Sequence, residues 1–231
     1  MSLSTRLQKL LLTPKFETFR DVLIIDGVEI QNNPNSVRGS GVLVSRRVDL
    51  PAFTAIEIGG VFDSTVIVGG TESYVVVHAD DNLLDKIRLE VRNGCLAVYP
   101  EGNISTVSRW KLEVFLPSLQ SLETSGSCSV RVGRFHTDKL RLSLSGVSSC
   151  TLTGAADLLE AELSGASKLV AKDFQCNEVD IDTSGASHAE VFVLSSLEAD
   201  ASGASSVTYK GNPQTRRTNT SGVGSVRSVR G

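Results

Sequence analysis

The words Leu163-Ser164-Gly165-Ala166, Thr183-Ser184-Gly185-Ala186 and Ala201-Ser202-Gly203-Ala204 stand at the centre of a longer series. Thr124-Ser-Gly-Ser and Leu144-Ser-Gly-Val precede them and Thr220-Ser-Gly-Val follows, placing glycines at Gly126, Gly146, Gly165, Gly185, Gly203 and Gly222. The intervals are 20, 19, 20, 18 and 19 residues. Six copies at so even a spacing define an internal repeat, and its period decides the fold. A period near 19 residues is too short for two helices with their loops, lacks the leucine-rich asparagine pattern, and is about half a propeller blade.

Alignment on the glycine shows two strands per repeat. Two residues before it stand Thr124, Leu144, Leu163, Thr183, Ala201 and Thr220, and four before it Leu122, Leu142, Ala161, Ile181, Ala199 and Thr218. Four residues after it come Val130, Cys150, Leu169, Ala189, Val207 and Val226, and six after it Val132, Leu152, Ala171, Val191, Tyr209 and Ser228. These alternating apolar or small positions fit strands with one buried face. Each repeat is therefore one coil of an all-β, parallel β-solenoid (β-helix), with two short strands and a Ser-Gly corner between them. At the corner, the glycine either takes a backbone conformation that a Cβ forbids or permits close approach of the next coil. The serine before each glycine would stack as a hydroxyl ladder that satisfies the corner. Cys150 falls on an inward column and Cys128 on a corner column held mainly by serine. Cys95, Cys128, Cys150 and Cys176 contain no CxxC pair, and a reduced, partly buried state is the plain reading.

Working outward, residues 119–231 are the regular Ser-Gly coils, and residues 42–118 read as less regular coils of one solenoid domain spanning 42–231. Strands are expected at Ala55–Ile58, Thr65–Val68, Tyr74–His78, Ile87–Val91, Leu96–Tyr99 and Leu112–Leu116, with a short helical turn over Asp80–Lys86. Residues 1–41 form an N-terminal segment expected to cap the first coil. Within it, Thr18–Ile30 reads as a strand pair turning at Asp26-Gly27, and Asn32-Asn33-Pro34-Asn35 as a loop. Arg6, Lys9 and the leucines at 10–12 make too short an apolar run for an export signal. The final repeat stops at Gly231 with no evident cap, which would leave an edge open to another copy of the chain.

Composition excludes several function classes. Net charge is −3, so no strong field points to nucleic acid. No apolar run reaches the ~18 residues of a membrane helix. Aromatics are only 5% of the chain, with Trp110, Tyr74, Tyr99 and Tyr209 the main platforms for a sugar ring.

Phe53-Thr-Ala-Ile-Glu-Ile-Gly-Gly-Val-Phe-Asp, Asp81-Asn-Leu-Leu-Asp-Lys-Ile, Asn93-Gly-Cys-Leu and the Ser-Gly-Ala-Ser series together resemble the GIN-type head domain of autotransporter adhesins, common in Bacteroidetes. The resemblance spans roughly residues 41–226. It implies a right-handed parallel β-helix at the cell surface, in the periplasm or outside the cell, and it brings no catalytic residues.

The most informative polar feature is an acidic face. Three residues before the glycine stand Glu123, Glu162, Asp182 and Asp200, and five before it Glu160, Asp180 and Glu198. Both columns have outward parity. With coils ~4.8 Å apart and same-face neighbours ~6.6–6.8 Å apart, Glu160, Glu162, Asp180, Asp182, Glu198 and Asp200 form a grid two wide and three deep. Calcium or a cationic partner would use such carboxylates; a solvated face would need neither. His78, His136 and His188 lie far apart in sequence, no HExxH or G-x-S-x-G motif occurs, and Arg216, Arg217, Arg227 and Arg230 make the C-terminus basic. The expectation is a non-enzymatic, adhesin-like envelope protein, without a cofactor, binding glycan or protein through an extended face. A pectate-lyase-like polysaccharide-degrading enzyme and a scaffold assembling through its open end are the alternatives.

Overall fold

Strands account for nearly all the regular structure of the computed structural model, which describes residues 16–19, 22–25, 28–31, 36–105 and 109–229. The leucine-rich N-terminus, the Asp26-Gly27 turn, the Asn32–Asn35 loop and Arg230 lie outside the described residues. Among the described residues there is no α-helix; a 3-10 turn at Leu84–Lys86 falls inside the stretch expected to be helical.

The chain divides into two compact units. Residues 1–38 with 102–105 make the first. In it β1 (Phe16–Phe19), β2 (Val22–Ile25) and β3 (Val28–Gln31) form an antiparallel sheet. The short β4 (Val37–Arg38) there pairs in parallel with a segment named below, Ile104–Ser105.

Residues 39–101 with 106–231 make the second unit, the all-β solenoid read from the repeat. Its first strands are β5 (Leu43–Asp49), β6 (Ala55–Gly60), β7 (Phe62–Val68), β8 (Tyr74–Asp80), β9 (Ile87–Arg92) and β10 (Cys95–Pro100). After β11 (Ile104–Ser105, of the first unit) come β12 (Trp110–Leu116), β13 (Ser121–Gly126), β14 (Ser129–Leu144) and β15 (Ser149–Leu163). The last are β16 (Lys168–Thr183), β17 (His188–Ala201), β18 (Ser206–Lys210), β19 (Thr215–Thr220) and β20 (Ser225–Ser228). The long strands β14 to β17 each serve two coils: the first half follows one Ser-Gly corner and the second half precedes the next.

Every pairing from β13 onward is parallel, and beside the corners it keeps the register that alignment on glycine dictates, for example Leu142↔Ala161↔Ile181↔Ala199 and Val130↔Cys150↔Leu169↔Ala189↔Val207; the register shifts only between the two halves of the long strands. The inward columns are buried as far as β18: Leu140, Leu159 and Leu197 are 0% exposed, as are Leu169, Ala189 and Val207; their members on β19 and β20 are exposed or half-buried. A parallel sheet wound on itself buries one face along its whole length, so period-two apolar residues recur without any helix to cover them.

The 42–118 stretch enters this stack out of chain order. β6 and β7 lie directly against β13 and the start of β14, so Gly60 occupies the corner column below Gly126. On the other side of β6 and β7 lie β10 and β12, later in sequence. The inversion follows from two antiparallel excursions. β8 runs against β12, and β9 turns into β10 through Asn93-Gly94. Both turn residues have positive φ, 52° and 73°, the requirement of a two-residue type I′ hairpin. Buried Asp80 accepts the Gly41 backbone N–H at 2.7 Å, tying the loop before β5 to the end of β8.

At the Ser-Gly corners both expected glycine roles operate together. Gly165 has φ +71°, and a Cβ there would sit 2.6 Å from the carbonyl oxygen of Gly146. The next amide completes the contact: Ala166 N–H donates to Gly146 O at 2.8 Å, as Ala186 does to Gly165. The serine before glycine bonds across coils as expected, Ser145 Oγ donating to Thr124 O at 3.2 Å. A second hydroxyl ladder, two residues after the glycine, lies deeper. Cys128, Ser148, Ser167, Ser187 and Ser205 are at most 2% exposed. Ser148, Ser167 and Ser187 each donate to the carbonyl three residues back, at 2.8–2.9 Å.

All four cysteines are free thiols. Cys150, wholly buried, has its thiol pushed up to about 12 by desolvation, and Cys176 is likewise raised to about 12. Cys95 is half-buried, and its thiol is raised by desolvation first and then by Glu57 and Glu123.

Two predictions follow from the packing. Gly165→Ala adds left-handed strain and a backbone clash, and should destabilise by roughly 3 kcal/mol in denaturant titration. Gly133→Ala, where a Cβ would meet only Val66 O at 3.7 Å, should change stability by less than about 0.5 kcal/mol. Equal losses at the two positions would remove the corner glycine from its role. In a timed alkylation read by mass spectrometry, Cys95 should label first in the native chain, and Cys150 and Cys176 only on unfolding.

Candidate functional site

The second half of each long strand places the acidic columns. Because residues alternate across the sheet, burial of Leu159, Ala161 and Leu163 turns Glu160 and Glu162 outward, and the same holds one and two coils on. Register then brings the six carboxylates together: Glu160↔Asp180↔Glu198 in one column and Glu162↔Asp182↔Asp200 in the other. Glu123 shares the second column but is separated from Glu162 by Ser143 and pairs with Glu57 on its other side. Arg141 and Arg217 bound the first column, Ser143 and Asn219 the second. Glu162, Asp182 and Asp200, with Ser164, Ser184 and Ser202 of the corner, line an open groove of about 550 Å³.

The charges are not equivalent. Glu160 pairs with Lys139 and, at 3.1 Å, with Arg141. Those bonds, Lys139 first, hold its carboxyl below the usual range. Asp180 and Asp182 are pushed up, chiefly by desolvation and then by neighbouring carboxylates, Asp182 for Asp180 and Asp200 for Asp182. Among the described residues no lysine, arginine or histidine lies within ion-pair distance of Glu162, Asp180, Asp182, Glu198 or Asp200; the ion pairs formed involve other carboxylates. Asp200 Oδ1 is shielded from solvent and has no hydrogen-bond partner. Among the described residues no three His, Cys, Asp or Glu side chains converge as a metal site would need.

The other sequence candidates fall elsewhere. Trp110 and Tyr209 are core residues, 3% and 4% exposed. Tyr74 stacks on Phe115 at 4.2 Å with the Arg47 guanidinium 3.6 Å from its ring centroid, which leaves Tyr99, 40% exposed, as the open ring of the four. Arg216 takes an inward column and donates to the Tyr209 hydroxyl at 2.9 Å. Thr218 and Thr220 join it over Ala199 and Ala201, so the coil of β19 presents polar groups where earlier coils are apolar. His188 does meet a serine and a carboxylate: Nδ1 is 2.7 Å from Ser206 Oγ and Nε2 3.4 Å from Glu190. The three lie on an open strand face, and the nearest amides are spent in the ladder, His188 N–H on Ser167 O and Ser206 N–H on Ser187 O. Neither of these two amides is free to face a developing oxyanion. Sequence reasoning overlooked the outward position seven residues after the glycine, where Lys172, Phe192 and Lys210 recur; extending the alignment one residue past the inward columns would have found it.

Comparison with known proteins agrees with the solenoid fold. A family model described as "Putative auto-transporter adhesin, head GIN domain" matches residues 52–213. A solved "putative adhesin" of Bacteroides fragilis is 19% identical with TM-score 0.72, over 84% of this chain and 100% of that one. A "putative adhesin" of Parabacteroides distasonis is 20% identical with TM-score 0.55, over 84% and 100%. A "Putative lipid binding protein" of the same organism is 19% identical with TM-score 0.59, over 84% and 99%. At these identities the likeness is one of fold. No curated protein matches the chain.

The raised Asp182 sets a sign for the pH dependence. The folded chain keeps a proton on this carboxyl at pH values where the unfolded chain has lost it, so its contribution becomes more favourable as pH falls from neutral through the raised pKa. Asp182→Asn should therefore stabilise the fold at neutral pH by roughly 0.5 kcal/mol, about 1–2 °C in melting temperature, after allowance for solvent screening. The gain should shrink on acidification. A melting series in which the substitution destabilises equally at every pH would contradict this.

Proposed function

The chain belongs to the family described as "Putative auto-transporter adhesin, head GIN domain", and from that membership we propose a non-enzymatic, adhesin-like protein of the cell surface or envelope that holds a glycan or protein ligand on its acidic face. The observation that carries the reading is five carboxylates in register on one outward face without a cationic partner among the described residues. Like charges stacked coil on coil oppose folding, and the fold gains nothing from them. A ligand bearing cationic groups would offset that repulsion. With no convergent set of three His, Cys, Asp or Glu side chains among the described residues, amines spread along a polymer fit the grid better than a single chelated calcium ion. A repeat surface of this kind binds by many shallow contacts rather than one deep anchor. A location in the periplasm or outside the cell is part of the same proposal.

The test is binding of the chain to a glycan array and to immobilised lysine-rich peptides, each with and without a chelator. Ligands carrying free amines should be selected, binding should survive chelation, and the triple variant D182N/E198Q/D200N should lose it while keeping the native circular dichroism spectrum. Undiminished binding by that variant would refute the acidic-face reading. Turnover of any polysaccharide would refute the non-enzymatic one.

A further inference from the structure

At the other corner of the coils, where the strand after each Ser-Gly word bends toward the next coil, lies a second groove of about 580 Å³. Its chemistry is opposite to that of the acidic face. Arg134, Lys172 and Lys210 line it with His136, against a single carboxylate, Asp173. None of the three cations is ion-paired among the described residues. In a chain of net charge −3, such a concentration of uncompensated cations is a local feature and not a consequence of composition.

The groove is formed by irregularities in an otherwise regular stack. Register shifts fall between Val132 and Phe135, between Thr151 and Thr153, and between Ala171 and Gln175. Bulges of this kind re-aim side chains and recur beside functional sites. Past the shifts one ladder runs His136↔Ala155↔Gln175↔Phe192↔Lys210 through five successive coils. Gly154, φ +126°, lets the backbone close to a spacing at which a Cβ would lie 2.0 Å from Phe135 O. Small residues at Gly154 and Ala155 thus hollow the second coil, while Arg134, Lys172 and Lys210 stand on the first, third and fifth. Phe192 is half-buried with Lys210 Nζ 5.0 Å from its ring centroid, an apolar wall carrying a cation at its rim.

We infer that this groove binds an acidic polysaccharide, carboxylated or sulfated, laid along the solenoid axis. Five rungs span ~19 Å at the spacing of stacked strands, room for a short run of sugar units. Lysine and arginine pair with carboxylate or sulfate oxygens, the Gln175 amide and His136 ring nitrogens suit hydroxyl groups, and Phe192 offers a surface for the apolar face of a sugar. Single-stranded nucleic acid would want an aromatic ring for each of several bases, and the groove offers one half-buried phenyl ring, Phe192, and one imidazole, His136. An added peptide strand finds no free edge here, because the ladder on both sides is occupied by neighbouring coils. The inference is independent of the acidic face, since it rests on different residues and the opposite charge.

The full chain is titrated calorimetrically with polygalacturonate, heparin, neutral dextran and oligothymidylate, at low and at high salt. Binding to polygalacturonate, heparin or both, weakened by salt and absent with dextran, is expected; the pattern between the two assigns carboxylate or sulfate. K172E/K210E should weaken binding by about tenfold or more, Phe192→Leu should weaken it less, and D182N/E198Q/D200N should leave it unchanged. Both lysines are exposed, so the fold should tolerate reversal; K172Q/K210Q provides the same reading with a smaller effect should the reversal variant misfold. The proposal is overturned if neither acidic polysaccharide binds, if dextran or oligothymidylate binds equally well, or if natively folded lysine variants keep full affinity.

Discussion

The solenoid depends on a contact between backbones. At each Ser-Gly corner the carbonyl of one glycine lies where the Cβ of the next would be, 2.4 Å from it at Gly146 and 2.8 Å at Gly203. No side chain fits that space, and the positive φ at the same residue makes any replacement doubly unfavourable. The contact sets the distance and the phase between coils. Once the phase is set, the amide ladder continues through the corner and the residues on either side of it are aligned with their equivalents one repeat away. The columns of the sheet follow from this, and so does the chemistry on its surface.

Phase turns sequence spacing into surface chemistry. Outward residues three and five before the glycine become an acidic face because successive coils carry Glu or Asp there. Outward residues past the second strand become a basic groove where register slips at the bulges and Arg134, Lys172 and Lys210 come to line one space, with Gln175 standing opposite Phe192. Inward columns absorb leucine, valine and alanine, and the corner absorbs small hydroxyl or thiol side chains that satisfy carbonyls three residues back. The two faces therefore differ in charge without differing in backbone, a property of repeat surfaces in which each outward position is free to vary while the glycine and the inward positions are not.

The N-terminal half shows what happens where the repeat lapses. β6 and β7 retain the phase, with Gly60 in the corner column, and stack on β13 and β14 despite the long interval in sequence. The residues between them fold back as antiparallel β8 and β9, made possible by the Asn93-Gly94 turn. Sheet edges are sites of unwanted pairing, and antiparallel strands laid beside the outermost parallel coil occupy its free backbone groups. At the coil of β19 the inward columns turn polar, with Arg216, Thr218 and Thr220 laid over Leu197, Ala199 and Ala201.

Much of this was legible from the residues. Period, coil composition, the inward columns, the corner glycines and the acidic grid all follow from an alignment at a spacing of 18 to 20 residues, because a stacked solenoid makes position in the repeat equivalent to position in space. Most strand locations in the irregular half were legible too, since alternation and turn residues are local, but β5 (Leu43–Asp49) was not among those expected. Their order in the stack was not, because nothing local specifies which coil a strand pairs with. Nor were the buried serines two residues after the glycine, whose depth depends on the corner geometry. The Ser206–His188–Glu190 contact and the basic groove likewise arise only when coils are superposed and register slips at the bulges. The amino-acid sequence by itself determined the coil and its faces, through a short-range periodicity; the tertiary structure alone decided coil order, corner depth and groove shape, because those depend on pairings between residues far apart in the chain.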